Sequence, residues 1–237
     1  RSLYVSLLTI MYFSACQGSE ELEQSQEKEY TVSIMARIGK TVSGARYLQD
    51  HENAIASFSK TDDIGVFMDN DSAVRWIFDG TSWTTEKSVF WKDKNEEHTF
   101  YAYYPHSGSK AENKENIIMP SLDSQNGTWE NISQYDFLVA SRKLSYDTDL
   151  GNVAFSGDYS FKHILSLLKI SIKGEGDMAQ AVIDKIRLEG NGLTTQGYYS
   201  FETNSITISE TPKETFQITP SHTCLLYTSP SPRDRTR

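Results

Sequence analysis

The chain of 237 residues is long enough for one large domain or two small ones, with 38% hydrophobic and 23% charged residues, a soluble globular balance. Its net charge of −9, from 23 Lys and Arg against 32 Asp and Glu, excludes nucleic acid as a partner, because phosphate backbones would be repelled. An aromatic share of 12%, with Tyr the commonest aromatic, favours strands over helices.

The first element is the apolar run LYVSLLTIMYF, Leu3 to Phe13. It is too short to span a bilayer, which needs about 20 residues, but suits the core of a secretory signal peptide. Small residues Ser14 and Ala15 then precede Cys16. FSAC resembles the lipobox of bacterial lipoproteins, with Phe13 where that pattern has an aliphatic residue. We therefore expect residues 1–15 to be a lipoprotein signal peptide and Cys16 to carry covalent lipid, more than one acyl chain being needed for firm anchoring. The following QGSEELEQSQEKE, within 16–29, has almost nothing to bury and reads as a solvated acidic tether. Such a tract also resembles the surface-export signal of some Gram-negative lipoproteins, a resemblance that implies a place on the outer face of the cell outer membrane.

From Tyr30 the pattern is that of strands. TVSIMARI alternates, with Val32, Ile34, Ala36 and Ile38 on one face and Ser33, Met35 and Arg37 on the other. After a polar stretch come IGVFM and WIFDGTSWT, in which Asp79-Gly80 predicts a hairpin turn between two Trp-bearing strands. VFW and HTFYAYYP continue the series; HSGSKAENKEN reads as a loop; NIIMP, QYDFLVAS and NVAFS are further short strands. Short strands at this spacing predict a β-sandwich over residues 30–155.

Beyond about residue 156 the texture changes. FKHILSLLKISIKGEG predicts a long buried strand, although Ile164, Leu165 and Leu168 also suit a helix. AVIDKIRLEGNG, GYYSFE, SITIS and ETFQIT look like the opening strands of a second sandwich over 156–223. The last segment is of another kind: CLLYTSPSPRD, Cys224 to Asp234, resembles the translation of a sequencing-library adapter. We expect residues 224–237 to be an artefactual tail and the second sandwich to be truncated, which removes Cys224 as a disulfide partner for Cys16.

Motifs of catalysis are missing from the sequence: it has no G-x-S-x-G, H-E-x-x-H, Walker loop or C-x-x-C. The five histidines are scattered, and His163 reads as a packed or capping residue. DTDLGN, Asp147 to Asn152, has only part of a calcium-loop spacing and reads as a turn. Glu96-Glu97 is a solvated pair whose side chains would face opposite ways on a strand. Trp76, Trp83, Trp91 and Trp129 suit either a sandwich core or a sugar-stacking surface. Neither a cofactor nor a metal is expected.

TDDIGVFM, WIFDGTSWT, VFWKD, TFYAYYP, YDFLVAS and VAFSGDYSFKHILSLLKISIKG, in that order behind a lipoprotein signal, resemble the fimbrillin-like family, the type V pilins and their relatives, from about Thr31 to Ile218. The resemblance implies an all-β chain of two β-sandwich domains with transthyretin-like topology, exported as a lipoprotein to the cell surface or fimbrium. It implies no enzyme, and other pilus subunits as partners, with the outer membrane reached through the lipid. In polymerising relatives an Arg-specific protease removes the first strand, and a strand of the next subunit fills the groove. Arg46, in SGARYLQ, is the candidate scissile residue, with Arg37 second because it sits within the strand. The alternative is a non-polymerising surface lipoprotein that binds a glycan or a host protein directly.

Overall fold

The computed structural model describes residues 30–39, 57–127, 134–165, 170, 172, 175–176, 182–193, 195–208 and 213–220. They form β1 (Ser33–Ala36), β2 (Asp63–Met68), β3 (Val74–Phe78), β4 (Trp83–Thr84), β5 (His98–Tyr104), β6 (Lys110–Asn113), β7 (Asn116–Ile118) and β8 (Leu138–Leu144). A one-turn helix α1 (Tyr146–Asp149) leads to β9 (Asn152–Phe155), and a 3-10 turn (Gly157–Tyr159) to β10 (Lys162–His163). β11 (Ile186–Leu193), β12 (Gly197–Ser200), β13 (Ser205–Ile208) and β14 (Lys213–Ile218) follow. The described residues are nearly all-β, as expected.

The centre is a six-stranded antiparallel sheet in the order β10-β8-β5-β2-β3-β4. Its β2 residues alternate between two cores. Ile64, Val66 and Met68 meet Phe100, Ala102 and Trp76 on one face, while Phe67 meets Tyr103 and Val139 on the other. The first core is closed by the parallel pair β1-β9, through Val32, Ile34, Val153 and Phe155. The second is closed by an antiparallel sheet ordered β13-β12-β7-β6, through Ile117 and Tyr199. Gly65 has a steric reason to be glycine. A Cβ there would lie 2.3 Å from the Tyr103 ring, which crosses β2 at that point.

Three expectations change. Lys110–Asn113, read as loop, is β6, hairpinned to β7 and mostly exposed. An edge strand with both sides wet carries no apolar alternation by which to find it. In the run from Phe161, only Lys162–His163 is strand among the described residues, while Ile170 and Ile172 are exposed.

The third concerns the sandwich expected over 156–223. β12 pairs with β7, Tyr198 opposite Ile118 and Tyr199 opposite Ile117, so one sheet crosses the expected 155/156 boundary. The reason is packing: Tyr199 is fully buried, its ring 5.9 Å from that of Phe137, and its hydroxyl donates to Asn204 Oδ1 at 2.6 Å. β11 and β14 make a two-stranded sheet of their own, with Leu188 opposite Phe216 and Ile186 opposite Ile218. The Asp79-Gly80 hairpin forms as expected. The Asp79 carboxylate accepts from the Thr81 and Ser82 N–H groups at 2.7 and 2.8 Å, and Gly80 has φ of +103°.

Candidate functional site

The first strand lies in a trough. The expected face is the buried one: Val32 and Ile34 point into the core, Ala36 and Ile38 are half-buried, and Ser33, Met35 and Arg37 are exposed. Because alternate N–H groups point to opposite edges, the two halves of the strand are held differently. On one edge, Ser33 N–H donates to Gly151 O at 3.1 Å, Arg37 N–H to Phe155 O at 2.9 Å and Gly39 N–H to Phe161 O at 2.8 Å. Phe161 N–H in turn donates to Arg37 O at 2.9 Å. On the other edge, among the described residues, only the beginning is engaged. Val32 N–H donates to Val89 O, and Tyr30 O accepts from Trp91 N–H, each at 2.8 Å.

Beside the second half of the strand runs a cleft of about 620 Å³, lined by Ile34, Ala36, Ile38, Phe58, Phe78 and Trp83 among others. A smaller gap of about 70 Å³ lies under Val32, against Val66, Met68, Trp76 and Phe100. Gaps of that kind forfeit dispersion contacts, so the trough holds its strand less tightly than a filled core would.

The entrance end is the better fastened. Tyr30 packs against Tyr146 with ring centroids 4.7 Å apart and the planes tilted by 56°, and the Lys94 ammonium stands 4.4 Å over the Tyr30 ring. Trp91 packs edge-on against Phe100 at 5.0 Å, and its indole N–H donates to Gly151 O at 3.3 Å. Beyond Trp91, His98 is buried between two carboxylates, Nδ1 at 2.7 Å from Asp69 and Nε2 at 3.1 Å from Asp93. Burial alone would lower the affinity of His98 for a second proton, but Asp69 and Asp93 outweigh it and raise it.

At the far end of the sheet Asp63 is buried and satisfied. Ser107 donates its N–H and O–H at 3.1 and 2.9 Å, and Arg75 Nε donates at 2.7 Å. Burial pushes that carboxyl up, but these donors outweigh it and hold it below the ordinary aspartate range.

Of the residues singled out from the sequence, Arg37 is exposed in its side chain but bonded through both its N–H and its carbonyl. A protease would have to lift it from the ladder. Cys16 and Arg46 lie outside the described residues, as do Trp129, His51 and His222. Trp76, Trp83 and Trp91 are each at most 7% exposed, so they fill the core and offer no sugar platform. His163 is half-buried and bonded to Asp136 at 3.0 Å, the packed role expected of it. DTDLGN forms α1 and its left-handed end at Leu150, and Glu97 lies exposed, paired with Lys143 at 2.8 Å.

The Asp69–His98–Asp93 chain had no signal in the sequence, since Asp69 is 29 residues from its partner. Among the described residues no group of His, Cys, Asp and Glu is placed to hold a metal, and no helix is long and apolar enough to cross a membrane.

The family model described as fimbrillin-like matches residues 51–231. No curated protein matches the chain. Among solved structures, a candidate cell adhesion protein from Bacteroides uniformis is similar with TM-score 0.54 and 17% identity, over 83% of this chain and 71% of that one. Similarly described proteins from Bacteroides ovatus and Bacteroides thetaiotaomicron give TM-scores of 0.43 and 0.42. Their identities are 15% and 16%; each match covers 81% of this chain, and 72% and 67% of the other.

Proposed function

The chain belongs to the fimbrillin-like family, and on that premise we propose that it is a surface lipoprotein of the fimbrium, with a first strand that is removed to admit a strand of the next subunit. Members of this family are structural, non-enzymatic proteins of the pilus and of cell adhesion, and they carry no cofactor. The finer steps are ours: lipid on Cys16, a tether over 16–29, cleavage at Arg46 with Arg37 second, and strand addition into the vacated trough.

One observation carries this reading. β1 contributes alternate apolar side chains to the core, yet among the described residues its second half is bonded on a single edge and flanked by an open cleft. Strand addition needs such a seat, because main-chain bonds supply affinity and alternate pockets supply register. Arg46 follows the strand in sequence, so a cut there would free the end of β1 that is bonded, among the described residues, on one edge.

Treatment of the full-length protein, with its second sandwich complete, with an Arg-specific protease tests the reading. It should release an N-terminal fragment ending at Arg46 and yield multimers. Cleavage elsewhere, or cleavage without multimers, would count against it. Separately, Cys16→Ala should abolish acyl labelling; labelling that persists would refute lipidation at that residue.

A further inference from the structure

His98 sits in a chain that a neutral imidazole cannot complete. An ionised carboxylate only accepts hydrogen bonds, and a neutral ring has one N–H, so one of its two nitrogens would turn a lone pair on an aspartate. Both nitrogens are within bonding distance of a carboxylate, at 2.7 and 3.1 Å, and the residue is 6% exposed, with little water to substitute for a lost partner.

We propose that His98 is a protonated clasp which fastens the 89–97 loop to the β2–β3 turn, and that loss of its proton loosens the entrance end of β1 while leaving the other end in place. The connection is continuous. Asp93 belongs to the loop that presents Val89 O to Val32 and Trp91 N–H to Tyr30, the two bonds on that edge of the strand. The charged groups around the ring fix which bond breaks. Asp69 is held independently of the loop by Thr99 N–H at 2.8 Å. Lys92, from the loop itself, reaches Asp69 at 3.6 Å and Asp71 at 3.0 Å, a second tie that is half-exposed and screened by water.

Among the described residues Asp93 is held otherwise only within its own loop, by Glu96 N–H at 2.6 Å and by the Asn95 backbone. A single remaining proton therefore stays on Nδ1, the shorter contact, toward Asp69, and the loop is the side loosened, left to the exposed Lys92 tie. From β8 the residue opposite His98 is Leu144, with the Lys143–Glu97 pair next to it. From α1 the neighbour is Tyr146, which meets Trp91 and Lys94.

The sign follows from linkage. His98 binds its proton more tightly in the folded chain, so its contribution is complete below the unfolded pKa and vanishes as pH rises through the folded one. Asp69 is pushed up by burial but held low by Thr99 and His98, and Asp93 is held low by Glu96 and His98. Their contribution is lost instead as pH falls through those depressed values. The clasp is closed between the two limits.

Amide exchange of the full chain, followed residue by residue by NMR from about pH 6 to about pH 9, tests this. Protection factors at Val32 and Trp91 should fall about tenfold or more relative to those at Arg37 and Gly39, the loss of one charge-assisted bond. In Asp93→Asn the side-chain amide can donate to a neutral Nε2, and the two ends should keep the same ratio at both pH values. Equal changes at the two ends of wild-type β1 would overturn the proposal. So would imidazole ¹⁵N shifts of a neutral ring at about pH 6, where even an unperturbed histidine is mostly protonated, or a pH response in Asp93→Asn equal to that of the wild type.

Discussion

β2 lies at the centre of the six-stranded sheet, bonded to β3 on one edge and β5 on the other, with all six of its residues buried. β1 has one long partner, β9, and turns Ser33, Met35 and Arg37 to solvent. Both are short and apolar, but removing β2 would open two cores and orphan two ladders. Removing β1 uncovers one core and one ladder. The difference teaches how two short strands with apolar inward faces can be seated to different depths in one all-β protein.

The largest effect should come from breaking the central strand. Phe67→Ala leaves a cavity between Tyr103, Val139 and Ile117, and should cost about 3–5 kcal/mol in global urea unfolding. Asp63→Asn, at the start of β2, withdraws the charge from Arg75 and Ser107 and should cost about 1.5–3 kcal/mol. Its pH dependence follows from the depressed carboxyl. The stabilisation is present above the ordinary aspartate range and disappears as pH falls through the folded value, so Asp63→Asn should flatten the acid limb of the stability curve.

Ile34→Ala in β1 sharpens the contrast. About 2 kcal/mol should be lost from retention of the strand, read as faster exchange at Ser33 and Arg37. The exchange of β2 amides should scarcely change. Smallest of all, Asp79→Ala removes a fully exposed turn anchor and should lower the thermal midpoint slightly, with the β3–β4 hairpin still formed.

How much of this was legible depends on whether the signal was local. The inward face of β1 and the Asp79-Gly80 hairpin follow from alternation and turn chemistry within a few residues. β6 escaped because KAEN on a wet edge looks like a loop. The pairing of β12 with β7 escaped because nothing near Tyr199 names Ile117, roughly eighty residues away, as its neighbour. The His98 clasp escaped for the same reason. Its two aspartates occupy ordinary turn positions and acquire their role only when β2 and β5 pair.

The most direct test is to remove residues 1–39 and measure amide protection across β2 and β5. If β1 is a separable part, those strands remain protected and the opened trough binds an apolar dye. A peptide of residues 30–39 then displaces the dye and restores protection at Phe155 and Phe161. Loss of protection throughout β2, or a peptide that fails to bind the intact body, would show that β1 is integral to the fold and contradict its role as a removable strand.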